Sequence, residues 1–146
     1  MKRVDPFTQD LFTQPRAGSL ACGIEIAATM VEAIDRARER GITREMIAAS
    51  MGYHLGETMS ENMLNAYTAQ SRDKHEINLR RAMAFDAALQ EDVLLNLYAQ
   101  KRGGRRVITD EEAAYIELGR IHQEEKDLAE RKRALQLMLK VKGQRT

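Results

Sequence analysis

The sequence predicts an all-α protein: a compact helical N-terminal domain containing a helix-turn-helix, followed by a long C-terminal helix. Three observations lead there. Ala, Glu, Arg, Leu and Met, all good helix formers, dominate, and aromatic residues make up only 5% of the chain. Apolar residues recur at three- and four-residue spacing over most of its length. Capping residues and glycines stand where the periodic runs begin and stop.

The 146 residues suit one domain, or one small domain with an appendage. Hydrophobic residues at 43% allow a modest core, and charged residues at 31% a densely charged surface. No apolar run approaches the roughly 20 residues of a membrane span. No apolar stretch follows Lys2 and Arg3, so no signal peptide is expected. The lone Cys22 has apolar neighbours and reads as a buried thiol in a reducing cytoplasm. A net charge of +1 rules out a uniformly basic nucleic-acid coat. The halves differ, with 11 basic and 14 acidic residues over 1–100 and 12 against 8 over 101–146. A chain of this kind that read DNA would depend on a local basic patch.

Residues 1–18 contain Pro6, Pro15 and Gly18 and read as a flexible arm. It is a frayed terminus, a basic arm (Lys2, Arg3, Arg16) for phosphates, or an apolar hook (Phe7, Leu11, Phe12) for a partner. The domain proper is expected over 19–100. Its first helix, 19–40, is capped by Ser19, buries Leu20, Ile24, Ala27, Val31 and Ile34, and adds an adjoining stripe through Cys22 and Met30. Gly41 is placed as its left-handed stop.

Residues 41–70 are the expected helix-turn-helix. Thr43 caps a supporting helix over 43–51, with Ile47 and Met51 inward, Met46 partly buried and Ala48 at a close helix crossing. Gly52 opens an eight-residue turn, 52–59, where positive φ is needed. Ser60 caps the recognition helix, 60–69, with Met63, Leu64 and Tyr67 facing inward. Glu61, Asn62, Asn65 and Thr68 are left outside. Asn bonds adenine through N6 and N7, Glu accepts from the cytosine amino group, and Ser60 with the free N–H groups suits a phosphate. Arg72 and Lys74, in the loop 70–76, stand where backbone phosphates are expected, and Arg44 completes the set around the two helices.

Two further helical runs follow. Residues 78–89 point Leu79, Ala82, Met83, Phe85 and Leu89 inward and leave Arg80 and Arg81 exposed; residues 91–101 bury Val93, Leu94, Leu97 and Tyr98. The pattern leaves open whether these are one bent helix or two. A basic glycine hinge, 101–108, carries Arg105 and Arg106, which either track a DNA backbone or are simply hydrated. Thr109-Asp-Glu-Glu112 is a capping box that opens a helix over 110–140, within a segment 109–146 that reads as an oligomerisation helix or, alternatively, as a helix folded back on the N-terminal domain. Ala114, Ile121, Leu128 and Leu135 are seven apart, with Leu118 and Leu139 at companion positions; Glu125 and Lys132 interrupt that second row. His54, His75 and His122 are scattered, so no metal, cofactor or catalytic constellation is expected, and no enzyme.

At TREMIAASMG the chain resembles the lambda-repressor-like helix-turn-helix. Over 43–89 it is similar to the small early-region DNA-binding proteins of Mu-like transposable phages and prophages. The likeness lies in the longer turn, the Met63-Leu64-x-x-Tyr67-Thr68 segment and the Ser71-Arg72-x-x-His75 loop. It implies a sequence-specific regulator of double-stranded DNA, with Ser60, Asn62, Asn65, Thr68, Arg72 and Lys74 toward the duplex. The long turn departs from the lambda pattern. Two other classes fit the same residues: an oligomeric DNA-packaging adaptor of the small-terminase kind, and a helical protein-interaction module without DNA binding.

Overall fold

The computed structural model describes residues 17–69 and 75–144. Among these residues the chain is all-α, with no strand. It divides into two compact units, Met1–Val107 and Ile108–Thr146. The first holds α1 (Gly23–Glu39), α2 (Arg44–Leu55), α3 (Glu61–Thr68), α4 (Leu79–Leu89) and α5 (Val93–Lys101). The second holds α6 (Asp110–Gln144). Nearly all of the N-terminal arm and residues 70–74, Arg72 and Lys74 among them, lie outside the described residues.

α1 starts later than expected. Residues 17–20 form a turn, so Ser19 lies ahead of the helix, and Cys22 at the cap position makes no side-chain bond. Leu20 and Ile24 are consequently exposed, and Cys22 is only half-buried. The buried stripe begins at Ala27 and runs through Met30, Ala33, Ile34 and Ala37. Gly41, at φ 81°, does end this helix region.

Thr43 caps α2 by accepting from the Met46 N–H at 3.3 Å. The helix then runs through Gly52 to Leu55, so Gly52 is not the turn. Its requirement for glycine has another cause: a Cβ there would meet the Glu57 carbonyl oxygen at 2.7 Å and the Met59 nitrogen at 3.2 Å. The chain folds back over Gly52, whose carbonyl accepts from the Glu57 N–H at 3.1 Å. The left-handed stop is Gly56, at φ 67°. The connection before Ser60 is thus shorter than the eight residues expected. Met46 is exposed, while Ile47, Ala48 and Met51 are buried.

α2 packs most extensively against α4, while α1 rests on α5 and α3. Phe85, Met30, Ile47, Met51 and Leu64 are the largest fully buried side chains. Phe85 decides which face of α4 is inward: with its ring in the core, Ala84 and Leu89 follow it and Leu79 and Met83 face solvent. Tyr98 on α5 is likewise exposed rather than buried.

α4 and α5 are separate helices. Gln90 takes the left-handed conformation at φ 54° and ends α4. The start of α5 is capped from a distance: the Asp86 carboxylate accepts from the Leu94 and Leu95 N–H groups at 2.9 and 3.0 Å. Burial pushes the Asp86 carboxyl above its ordinary range, and those two N–H groups offset part of the rise.

In α6 the capping box forms in both directions. Thr109 Oγ1 accepts from the Glu112 N–H at 3.1 Å, and Glu112 Oε2 accepts from the Thr109 N–H at 2.8 Å. Arg120 bridges Glu117 and Glu124 along the helix at 2.6 and 3.5 Å. No described helix is long and apolar enough to cross a membrane.

Candidate nucleic-acid interface

The candidate site is the outer face of α3, whose N-cap is Ser60. This residue is extended, at φ −92° and ψ 156°, and its hydroxyl accepts from the Met63 N–H at 3.2 Å. That bond fixes the first turn and leaves Glu61 and Asn62 exposed beside it. Asn62 makes no side-chain hydrogen bond among the described residues. Behind this face, Leu64 is fully buried and Met63 and Tyr67 pack partly against the core. One stripe anchors the helix and the opposite one presents short polar groups.

Arg44 ties this helix to α2. Its Nη1 donates to Asn65 Oδ1 at 2.9 Å and to Thr68 Oγ1 at 3.0 Å. Two expectations change as a result. Thr68 is not an outward group: it is buried and its hydroxyl donates back to the Leu64 and Asn65 carbonyls at 3.3 and 3.1 Å. Asn65 is exposed, but its amide oxygen is already engaged, and reading adenine bidentately needs both oxygen and nitrogen. Of the two asparagines, Asn62 alone offers an unengaged amide. Arg44 itself is half-buried, and both of its partners are neutral groups.

A second tie comes from α4. Arg81 donates to the Tyr67 hydroxyl and, at 3.3 Å, to Glu57 Oε1 in the turn before α3. Its guanidinium also stands 5.9 Å from the centre of the Tyr67 ring. The Tyr67 hydrogen bond is the main influence raising its pKa, ahead of Glu57 and against the loss of solvation. Arg80 shares the same carboxylate at 3.3 Å. The sequence alone predicts a solvated face at Arg80 and Arg81; the structure instead joins both to Glu57 and Arg81 to Tyr67. The signal for this network was Tyr67, an inward tyrosine whose hydroxyl requires a partner. Glu57 neutralises much of the positive charge that α4 brings to this side of the unit.

The hinge arginines do not join the α3 cluster through any bond among the described residues. Arg105 donates to the Arg102 and Gly103 carbonyls at 2.8 and 3.0 Å and so closes its own turn. Arg106 is exposed. Among the described residues no group of His, Cys, Asp and Glu is arranged to hold a metal ion. No family model, curated protein or solved structure matches this chain.

Proposed function

We propose that this chain is a sequence-specific, non-enzymatic regulator of double-stranded DNA, of the phage or prophage kind, acting in the bacterial cytoplasm as an oligomer. One observation carries the reading. A short helix presents Ser60, Glu61 and Asn62 outward at its capped N-terminus, while Arg44 from α2 and Arg81 from α4 hold it in place. A helix that reads base edges must keep its N-terminal residues free and its body rigid, because a misplaced amide loses its bidentate geometry. The resemblance of residues 43–89 to regulators of Mu-like elements points the same way.

The proposed division of labour follows from the bonds already made. Asn62 reads a base and Glu61 accepts from a cytosine amino group. Asn65, with its oxygen held by Arg44, positions the helix instead. Glu61 repels phosphate, so the salt-sensitive attraction comes from basic residues flanking the helix: Arg72 and Lys74 after it, with Arg106 at the hinge. Near-neutral net charge makes those few contacts decisive.

A gel-retardation assay on the DNA upstream of the chain's own coding sequence, repeated at rising salt, tests the proposal. The expected result is a shift at low salt that fades as salt rises. Arg72→Ala should weaken all sequences alike and reduce the salt slope by about 1. Absence of a shift at low salt would leave a protein-interaction module as the better reading. A large ring of subunits in light scattering would favour a packaging adaptor.

A further inference from the structure

We infer that α6 pairs side by side and antiparallel with α6 of a second copy of this chain. This rests on the reading of α6 as the element that multiplies the N-terminal unit, but not on DNA binding itself. α6 is a helix of 35 residues, about 50 Å long, and is the only helix of its unit among the described residues. Leu118, Ile121, Leu128, Leu135 and Leu139 lie 40–69% exposed along it. A single helix cannot bury its own apolar stripe, and a second copy is a partner always at hand.

Charge selects the direction. Over 110–127 the helix carries seven acidic and two basic residues; over 128–144 it carries one acidic and five basic. A parallel pair sets a net −5 half against a net −5 half, and +4 against +4. An antiparallel pair sets −5 against +4 at both ends.

The interruptions of the apolar seam obey the same rule. Glu125 and Lys132 occupy seam positions one heptad apart, and Glu124 and Arg131 flank them, also one heptad apart. In a parallel pair in register, Glu125 meets its own copy and so does Lys132, so like charges share two core layers. In an antiparallel pair centred near Leu128, Glu124 and Glu125 come beside Arg131 and Lys132 of the partner subunit, and the reverse holds across the two-fold axis. The charged residues that spoil a parallel coiled coil become the register marks of an antiparallel one. The preceding chains then enter the pair from opposite ends, with the two Asp110 positions about 50 Å apart.

Cysteine cross-linking of the full chain in a Cys22→Ser background tests this. Leu128→Cys lies beside the two-fold axis and should form a disulfide dimer on mild oxidation. Leu118→Cys should not, because its two copies stand about 30 Å apart. Cross-linking at both positions would mean a parallel pair, and at neither no pairing; either result overturns the inference. As a second measurement, Glu124→Lys with Glu125→Lys should weaken self-association at least tenfold in sedimentation. Adding Arg131→Glu and Lys132→Glu to the same chain should restore it. No weakening, or no restoration, also overturns the inference. None of these experiments contains DNA. A chain that shifts DNA without the Leu128→Cys dimer refutes the pairing alone; a chain that pairs but shifts no DNA refutes the regulator alone.

Discussion

Phe85 and Leu128 are both large apolar residues on helices, yet Phe85 is fully buried and Leu128 is 64% exposed. The contrast extends to the units they belong to. Helices α1–α5 run from 8 to 17 residues, and four of the five, at 8 to 12, are too short to persist alone in water. They exist because Phe85, Met30, Ile47, Met51 and Leu64 share one core. α6 is supported locally instead, by a reciprocal capping box, an acidic first turn and the Arg120 bridges. Its apolar stripe is not needed to hold the helix together within the chain. A helix held by its own polar groups can leave its apolar ones exposed.

The comparison breaks most sharply at Phe85. Phe85→Ala should cost the N-terminal unit about 3–5 kcal/mol in denaturant unfolding. Leu128→Ala should leave that unit's midpoint unchanged while weakening self-association in sedimentation. Equal loss of unit stability from the two would erase the distinction.

Gly52→Ala comes next. Its Cβ would press on the Glu57 carbonyl, which is backbone and yields little, so the expected cost is about 1–3 kcal/mol. Gly119 on α6 has open space around its Cβ position, and Gly119→Ala should strengthen the helix by about 1 kcal/mol. Thermal unfolding monitored by circular dichroism separates the two signs.

Asp86 sharpens the picture through pH. Asp86→Ala removes the distant cap of α5 and should cost about 1 kcal/mol. Because burial raises the folded-state pKa, the folded chain holds this proton more tightly than the unfolded chain does. The Asp86 contribution to stability therefore falls as pH rises from the ordinary aspartate value through the raised one, and is level above it. Asp86→Asn should remove that slope, as read from denaturant midpoints across the acidic range.

The smallest expected effect on stability, within about 0.5 kcal/mol, belongs to Asn62→Ala, because the side chain is exposed and makes no bond among the described residues. Its effect should appear only on DNA.

The all-α class, the cap at Thr43, the cap at Ser60 and the Thr109 capping box were legible because each depends on residues three or four apart. What was not legible depended on distant partners. Gly52 was expected at a turn because a glycine after an apolar-Ala pair commonly marks one, and only the fold-back of Glu57 shows the real constraint. Leu79 and Met83 fit an inward period as well as Phe85 did, and volume in the shared core decided for Phe85. Asn65 and Thr68 looked free because nothing local reveals that Arg44, more than twenty positions earlier, reaches them. Nothing local marks Glu57 either, although it holds both Arg80 and Arg81.

The capped, outward end of α3 is proposed to read bases. Fluorescence anisotropy of the full chain and of Asn62→Ala, on the upstream DNA and on a scrambled duplex at ~50 mM salt, tests it most directly. The native chain is expected to prefer the upstream sequence. Asn62→Ala should lose about 1–3 kcal/mol of that preference while its affinity for the scrambled duplex stays the same. Equal affinities of the native chain for both duplexes, or an Asn62→Ala chain that discriminates as well as the native one, would contradict it.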